Sequence, residues 1–160
     1  MSAKSGIAVI GVGNLLMRDE GVGVHVIRYL QEHYRFTPSV ELIDGGTTGS
    51  DLIPYFERND RILIVDAVDF HQPPGYIGRI KNHEILRHLA TKLSLHNLGL
   101  SDVLSQMKLL GIEPQEIMLL GIQPKVIAVS TELSEVLQEK LPRLVELVLQ
   151  QLKEWGVSWE

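Results

Sequence analysis

Short runs of aliphatic residues alternate along the chain with longer stretches in which apolar residues recur every three or four positions. The aliphatic runs, each short enough for a buried strand, are 7–10, 40–43, 61–68 and 116–122. The stretches with the apolar spacing of a helix are 19–34, 83–93, 101–110 and 132–155. Strands that alternate with helices in this way predict a doubly wound α/β domain of about five strands.

The strand candidates differ in character. Residues 61–68 contain four consecutive aliphatic residues, which indicates a central parallel strand that is buried on both faces. Residues 76–80 alternate between apolar and polar side chains, as an edge or antiparallel strand does. A polar, glycine-rich turn is expected at 44–49, directly after the second strand.

The helix candidates carry start and stop signals. Asp19 is expected to cap the first helix, and Ser50 or Thr48 is expected to cap a short second helix. Gly111 is in the position where a glycine ends a helix. Pro142 lies inside the last helical stretch and predicts a break or kink there.

Composition narrows the class of protein. The chain of 160 residues is 44% hydrophobic and 22% charged, which suits one ordinary globular domain over residues 1–160. Its net charge of -5 argues against nucleic acid as a partner. The absence of cysteine excludes disulfides, thiolate nucleophiles and iron–sulfur clusters. No signal-peptide core and no run of membrane-spanning length occurs, so no membrane insertion and a cytoplasmic location are expected.

The glycines after the first strand suggest, at first, a dinucleotide-binding loop. Gly11 and Gly13 match the first two glycines of that fingerprint, but Leu16 occupies the place of the third. Asp44, the acidic residue that closes the second strand, is farther along the chain than the fingerprint allows. These mismatches disfavour a nucleotide site.

Acidic residues follow each of the first three predicted strands: Glu20, Asp44 and Asp66. In a sheet ordered 2-1-3, the first and third strands are neighbours, and ligands bind in the crevice at their carboxyl ends. Glu20 and Asp66 are then expected to converge, and two such carboxylates repel unless a proton or a cation lies between them. His96, in a short loop between predicted helices, would complete an open site that suits Zn, Ni, Fe or Mn.

Each of these residues also suits an ordinary structural role. Glu20 matches the first turn of a helix, where a negative charge interacts favourably with the helix dipole. Asp66 matches a turn or cap position, and His96 matches a loop residue that forms hydrogen bonds. The remaining histidines, on predicted helices or in a proline-rich loop, are weaker candidates: His25, His33, His71, His83 and His88.

Five short motifs follow one another along the chain: Gly11-Val-Gly-Asn14, Asp19-Glu-Gly-Val-Gly23, Asp44-Gly-Gly-Thr47, Val65-Asp-Ala67 and His96-Asn-Leu-Gly-Leu100. In these motifs and in their order, the sequence resembles the hydrogenase maturation endopeptidases over nearly its whole length. The resemblance implies a three-layer α/β/α domain with a twisted, mostly parallel sheet of five strands, in agreement with the pattern of apolar residues.

The resemblance also implies a reaction. In the family, the residues that match Glu20, Asp66 and His96 bind a metal that is taken to be nickel, supplied by the precursor or bound directly. The enzyme removes a C-terminal peptide from the large-subunit precursor of a NiFe hydrogenase once the metal centre has been inserted. The residues expected to hold the substrate tail or to shape the cleft are Asp44, Gly45, Gly46 and Thr47.

Some alternatives stay open. The family's first acid is Glu or Asp, and Asp19 directly precedes Glu20, so either residue of the pair can face the metal. A metal-dependent hydrolase of another substrate needs the same three residues. A non-enzymatic binder that checks nickel or the large subunit is a further possibility. With no cysteine and no serine in a nucleophile motif, a water molecule is expected to attack the peptide bond.

Overall fold

The computed structural model describes residues 6–13, 18–46, 52–82, 84–85, 97–125 and 132–160, apart from the side chains at positions 18, 20 and 97–102. The strands in these ranges are β1 (Ile7–Val12), β2 (Phe36–Thr37), β3 (Glu41–Gly46), β4 (Arg61–Ala67), β5 (Ile77–Lys81), β6 (Glu116–Ile122) and β7 (Ser158–Trp159). A 3₁₀ helix spans Arg18–Gly21, and the α-helices are α1 (Val22–His33), α2 (Ile53–Arg58), α3 (Asn97–Leu110) and α4 (Glu135–Glu154).

Five strands form one sheet in the order β3-β1-β4-β6-β5. All neighbours are parallel except β5, which runs antiparallel to β6 at one edge. The predicted order of the first three strands, 2-1-3, is therefore confirmed as β3-β1-β4. The central position of 61–68 and the antiparallel edge position of 76–80 are confirmed as well.

The helices pack on both faces of this sheet, since alternate side chains of each strand point to opposite faces. One buried cluster joins Leu63 and Val65 of β4 to apolar residues of α1 and α4. The other cluster joins Ile62 and Ile64 to apolar residues of α2 and α3. This is the three-layer α/β/α arrangement that was expected.

Two glycines allow α1 to lie directly against the sheet. A Cβ atom at Gly23 would overlap the carbonyl oxygen of Val65, and one at Gly11 would overlap the carbonyl oxygen of Gly23. Only residues without a side chain permit this approach of helix and strand. The contact fixes the start of α1, and with it the preceding 3₁₀ helix, at the carboxyl end of β1.

The expected start of the first helix was wrong. Residues Arg18–Gly21 form the 3₁₀ helix, and α1 begins only at Val22. Its N-cap residue is Gly21, and no side chain caps it. Asp19 does not act as the cap because its carboxylate accepts hydrogen bonds from residues far along the chain.

The turn expected at 44–49 was wrong in its first part. Strand β3 continues through Asp44 and ends only at Gly46. Asp44 pairs with Gly11 and Gly46 pairs with Val12, with a bulge between the two pairs. Pairing with β1 therefore holds Asp44 and Gly46 in a strand, although the composition of this segment favours a turn.

Of the break or kink expected near Pro142, the break was wrong, because α4 continues through Pro142 from Glu135 to Glu154, and the kink stays a prediction. Leu137 before the proline and Val145 after it lie in the same buried cluster. An internal proline costs about 3 kcal/mol. Burial of the apolar face on both sides offsets this cost.

The remaining helix predictions were partly confirmed. Gly111, with a φ of 73°, follows α3 as expected, although α3 begins at Asn97 and not near 101. The N-cap of α2 is Leu52, with no side-chain cap, and Ser50 and Thr48 lie outside the described residues. Of 83–93, only residues 84–85 are described, and both are helical.

None of the helices in the described ranges combines the length and the apolar character that are needed to cross a bilayer.

Candidate active site

The carboxyl ends of β1, β3, β4 and β6 meet at one edge of the sheet, because these strands are parallel neighbours. In the ladders at this edge, Gly11 pairs with Asp44 on one side and with Val65 on the other. Asp66 pairs with Gly121 of β6. Ligands bind at such an edge in open α/β sheets, so this edge, with the segments that follow its strands, is the candidate active site.

Asp66 lies at this edge on the central strand. Its side chain is fully buried, and its Oδ1 accepts a hydrogen bond from the backbone N–H of Ala67 at 2.8 Å. By strand alternation, Asp66 points to the same face as Ile62 and Ile64, which is the face covered by α2 and α3. A buried carboxylate needs hydrogen-bond donors or a cation around it.

The 3₁₀ helix brings the backbone of Glu20 to the same edge. This helix follows β1, and its residues come within 8 Å of residues of β4, measured between Cα atoms. The crossover after β1 therefore runs beside the strand that carries Asp66, as the expected convergence requires. The side chain of Glu20 is outside the described residues.

Asp19, the residue before Glu20, is committed to a structural role. Its carboxylate is fully buried. Oδ1 accepts the backbone N–H of Ser134 at 2.6 Å, and Oδ2 accepts the hydroxyl of Ser134 at 2.7 Å and the backbone N–H of Lys125 at 2.8 Å. These bonds join the 3₁₀ helix to the segment after β6 and to the start of α4. The sequence did not reveal this role, and the adjacent acidic pair was its only signal.

His96 lies outside the described residues, and α3 begins at the next residue, Asn97. Within the described ranges, no three His, Asp or Glu side chains are grouped closely enough to hold a metal ion. His96 and the side chain of Glu20 are not part of those ranges. The structure therefore places Asp66 and the backbone of Glu20 at one edge, and the complete set of three stays a prediction.

The glycine-rich segment that begins at Asp44 lies at the same edge of the sheet as Asp66. Asp44 has an exposed side chain at the end of β3, and Gly46 pairs with Val12. Gly45 is buried, and a Cβ atom there would lie 3.0 Å from Ile10. Close packing against β1 thus explains the glycine at 45, whereas Thr47 lies outside the described residues.

Gln123, which follows β6 directly, is a polar residue that the sequence analysis missed. It is buried, and its Oε1 accepts the backbone N–H of Phe70 at 2.6 Å. Its Nε2 donates to Asp69 at 3.2 Å. These bonds hold the segment that follows β4, and so shape the edge beside Asp66. A polar residue directly after an apolar strand was the available signal.

The chain is similar to known proteins in both sequence and structure. A sequence profile described as hydrogenase maturation protease matches residues 24–151. The chain belongs to this family. The matched span includes the positions of Asp66 and His96 and begins after Glu20.

Individual relatives agree with this assignment. The chain is 36% identical over 159 residues to the hydrogenase expression/formation protein HupD of Thiocapsa roseopersicina. The aligned region covers 98% of this chain and 72% of that protein. It is 34% identical over 153 residues to the hydrogenase 2 maturation protease of Escherichia coli, and this aligned region covers 95% of this chain and 93% of that protein.

Solved structures of maturation proteases share the fold. The hydrogenase maturating endopeptidase HybD from E. coli superimposes with a TM-score of 0.90 at 33% identity, over 96% of each chain. The NiFe hydrogenase maturation protease HybD from Thermococcus kodakarensis gives a TM-score of 0.77 at 26% identity, over 91% of this chain and 98% of that one. This maturation protease is therefore a peptidase with the family's α/β fold.

Proposed function

We propose that this protease removes the C-terminal extension of a NiFe-hydrogenase large-subunit precursor after the metal centre has been inserted, and that the cleavage depends on nickel. One observation carries the proposal. Asp66, within the family motif Val65-Asp-Ala67, is a fully buried carboxylate at the ligand-binding edge of the central strand. A carboxylate in that position, at the edge where ligands bind, is suited to holding a cation.

The proposed ligands of the nickel ion are Glu20, Asp66 and His96. The course of the 3₁₀ helix beside β4 supports Glu20. Asp19 is the weaker candidate of the acidic pair, because three hydrogen bonds already hold its carboxylate. Asp66 points to the face on which α3 packs, and α3 begins one residue after His96, which supports that pair.

The chemistry of these side chains suits the ion. Two carboxylates and one imidazole are donors of hard to intermediate character, and they leave coordination positions open for substrate groups or water. We propose that the nickel ion is brought by the loaded precursor or is bound directly, and that other divalent ions can take its place in vitro. The burial of Asp66 favours a cation because a cation offsets part of the cost of burying a negative charge.

The chain itself has no cysteine, so a water molecule is the proposed nucleophile. A divalent ion held at this site supplies Lewis acidity, which polarises a carbonyl group and lowers the pKa of water. A carboxylate that does not hold the ion accepts the proton of the attacking water. The exposed side chain of Asp44 and its glycine-rich neighbours, Gly45, Gly46 and Thr47, are proposed to position the substrate tail.

This arrangement gives a physical basis for acting only on a loaded precursor. An unloaded precursor lacks the ion that the three side chains bind, so its tail is not held at the site. Recognition of the ion also removes the need for a deep pocket that selects one side chain.

The test is to incubate the purified protein with nickel-loaded and with nickel-free precursor, and to weigh the products by mass spectrometry. We expect the loaded precursor to lose one C-terminal peptide and the nickel-free precursor to stay intact. Cleavage of both forms would refute the nickel dependence. Cleavage of an unrelated unfolded protein would indicate a general hydrolase, and tight binding of the loaded precursor without shortening would indicate a non-enzymatic checkpoint.

A further inference from the structure

A groove runs between the edge strand β5 and helix α4. Its first part has a volume of 480 Å³ and is lined by residues that include Tyr76, Ile77, Arg79 and Lys140. Its second part has a volume of 510 Å³ and is lined by Arg79 again, together with Lys81, Glu84, Gln151 and Glu154. Arg79 borders both parts, so they are adjacent, and we call the two together the β5–α4 groove.

The groove opens at the same edge of the sheet as the candidate active site. Ile77, at its first part, pairs with Ile122 at the carboxyl end of β6, and Ile122 pairs in turn with Ala67, the residue after Asp66. Lys81, at its second part, pairs with Met118 nearer the other end of β6. The groove therefore leads away from the edge that carries Asp66.

The first part of the groove is positively charged, although the whole chain has a net charge of -5. Its cationic side chains are Arg79, Lys140 and Arg143, all of them exposed. Arg143 forms an ion pair with Glu146 at 2.8 Å. Among the residues that the structure describes, Arg79 and Lys140 take part in no ion pair. The two carboxylates that line the groove, Glu84 and Glu154, belong to its second part. Arg79 and Lys140 therefore leave the first part positively charged, which favours an anionic partner there.

Two further features point to a peptide in an extended conformation. Strand β5 is the last strand on its side of the sheet, so one edge of its backbone has no neighbouring strand in the described part of the protein. Gln151 lines the groove and is only 3% exposed. Its Nε2 donates to Glu154 at 3.3 Å, whereas its buried Oε1 has no hydrogen-bond partner within the described residues. If the side-chain amide of Gln151 turns toward the groove, this acceptor can receive a peptide N–H group.

We propose that the β5–α4 groove binds an extended, acidic segment of the large-subunit precursor. Acidic side chains of that segment contact Arg79 and Lys140, and its backbone adds to the edge of β5 and donates an N–H to Gln151. The inference rests on the proposed function for the identity of the partner. It adds a docking surface that is separate from the nickel ion, and it predicts affinity for the precursor even when no nickel is present.

Binding of nickel-free precursor, measured by calorimetry, tests this docking without cleavage. The variant is Arg79→Glu/Lys140→Glu, and the matched control is Arg28→Glu/Lys108→Glu, which makes the same charge change at exposed positions on α1 and α3. We expect the Kd to rise about tenfold in the groove variant and to stay unchanged in the control. Raising the salt concentration is expected to weaken binding by the wild-type protein and to have less effect on the groove variant.

A third variant tests the buried acceptor. Gln151→Met removes the Oε1 atom while keeping the length of the side chain, and we expect it to raise the Kd about fivefold without lowering thermal stability. Equal Kd values for the groove variant and its control would overturn the docking proposal, as would a wild-type protein that does not bind nickel-free precursor. Failure of the wild-type protein to shorten nickel-loaded precursor would instead refute the proposed function, and the two results are read from separate measurements.

Discussion

Asp19 and Ser134 are 115 positions apart in the chain and are joined by two hydrogen bonds, from the backbone N–H of Ser134 at 2.6 Å and from its hydroxyl at 2.7 Å. Ser134 is also the N-cap residue of α4, and its side chain makes no capping bond. The hydroxyl of Ser134 thus donates to Asp19 and does not cap the first turn of α4, and the contact ties the 3₁₀ helix to the start of α4. This contact holds the residue before Glu20 in a defined position.

Replacement of Asp19 by asparagine is expected to destabilise the protein. The amide keeps the size of the side chain, but one of its ends presents N–H groups to donors that need an acceptor. We expect a loss of about 2–4 kcal/mol in the free energy of unfolding, measured by urea denaturation. Ser134→Ala removes only the hydroxyl bond and is expected to cost about 1–2 kcal/mol. An Asp19→Asn variant as stable as the wild-type protein would contradict this account.

Asp66→Asn is expected to abolish cleavage and to leave the fold intact. An asparagine oxygen still accepts the N–H of Ala67, which meets Asp66 at 2.8 Å, but the negative charge that favours a cation is lost. We expect the cleavage rate to fall by more than about a hundredfold, because even groups that only support metal ligands have effects of that size. His96→Ala is expected to have the same effect.

His33→Ala is a suitable control for both variants, because the ring of His33 is exposed on α1 and bonds the carbonyl oxygen of Tyr29 at 2.9 Å. It is expected to process the loaded precursor normally. Mass spectrometry of the precursor and circular dichroism of each variant are the measurements. Normal cleavage by Asp66→Asn or His96→Ala would remove that residue from the proposed site.

Gly23→Ala tests the close contact between α1 and the sheet. The added methyl group overlaps the carbonyl oxygen of Val65 and lies 2.7 Å from that of Val12, so backbone must move. We expect a loss of about 3 kcal/mol in the free energy of unfolding. Gly111→Ala is the comparison, because Gly111 has a φ of 73° with open space around it and is expected to cost only about 1 kcal/mol. Equal losses for the two variants would argue against the contact.

Glu41 predicts a pH dependence of stability. The hydrogen bond from Arg58 is the main cause that lowers the pKa of Glu41 below its ordinary value of 4.5, with help from Asn59 and from the charge of Arg58, and burial opposes the shift. A group with a lowered pKa in the folded state stabilises the protein above its ordinary pKa, and this stabilisation is lost as the pH falls through the lowered value.

The variant Glu41→Gln is therefore expected to have a lower urea midpoint than the wild-type protein at pH 7. The difference is expected to be small, because 54% of the Arg58 side chain and 37% of the Glu41 side chain are exposed. It should shrink below pH 4.5. A difference that is constant from pH 7 to the acid limit would show that the effect of the substitution is not electrostatic.

The sequence predicted the sheet well because burial on both faces leaves a clear mark. The run from Ile62 to Val65 indicated the central strand, and the alternation near Ile77 indicated the antiparallel edge, as the structure shows. The order of the first three strands placed Asp66 at the ligand-binding edge. Those properties depend on the local pattern of apolar residues and on the rules of parallel sheets.

The errors came from contacts between distant parts of the chain. The local sequence around Asp19 predicts a helix cap, but its carboxylate accepts hydrogen bonds from the backbone N–H groups of Ser134 and Lys125. Asp44 begins a glycine-rich stretch that favours a turn, but pairing with Gly11 keeps it in a strand. Gln123 was missed for the same reason, since Phe70 lies 53 residues away. The local sequence around a residue does not show which distant residues form hydrogen bonds with it.

Asp66 belongs to a strand that is hydrogen-bonded along both of its sides, to β1 and to β6. Local opening of a sheet starts at its outer strands. Asp66 therefore stays in position when the outer strands open, and the backbone amides around it should exchange their hydrogens most slowly. The outer strands can therefore vary in sequence without moving Asp66. Strand β4 thus fixes the position of Asp66, and the other parts of the site can shift relative to it.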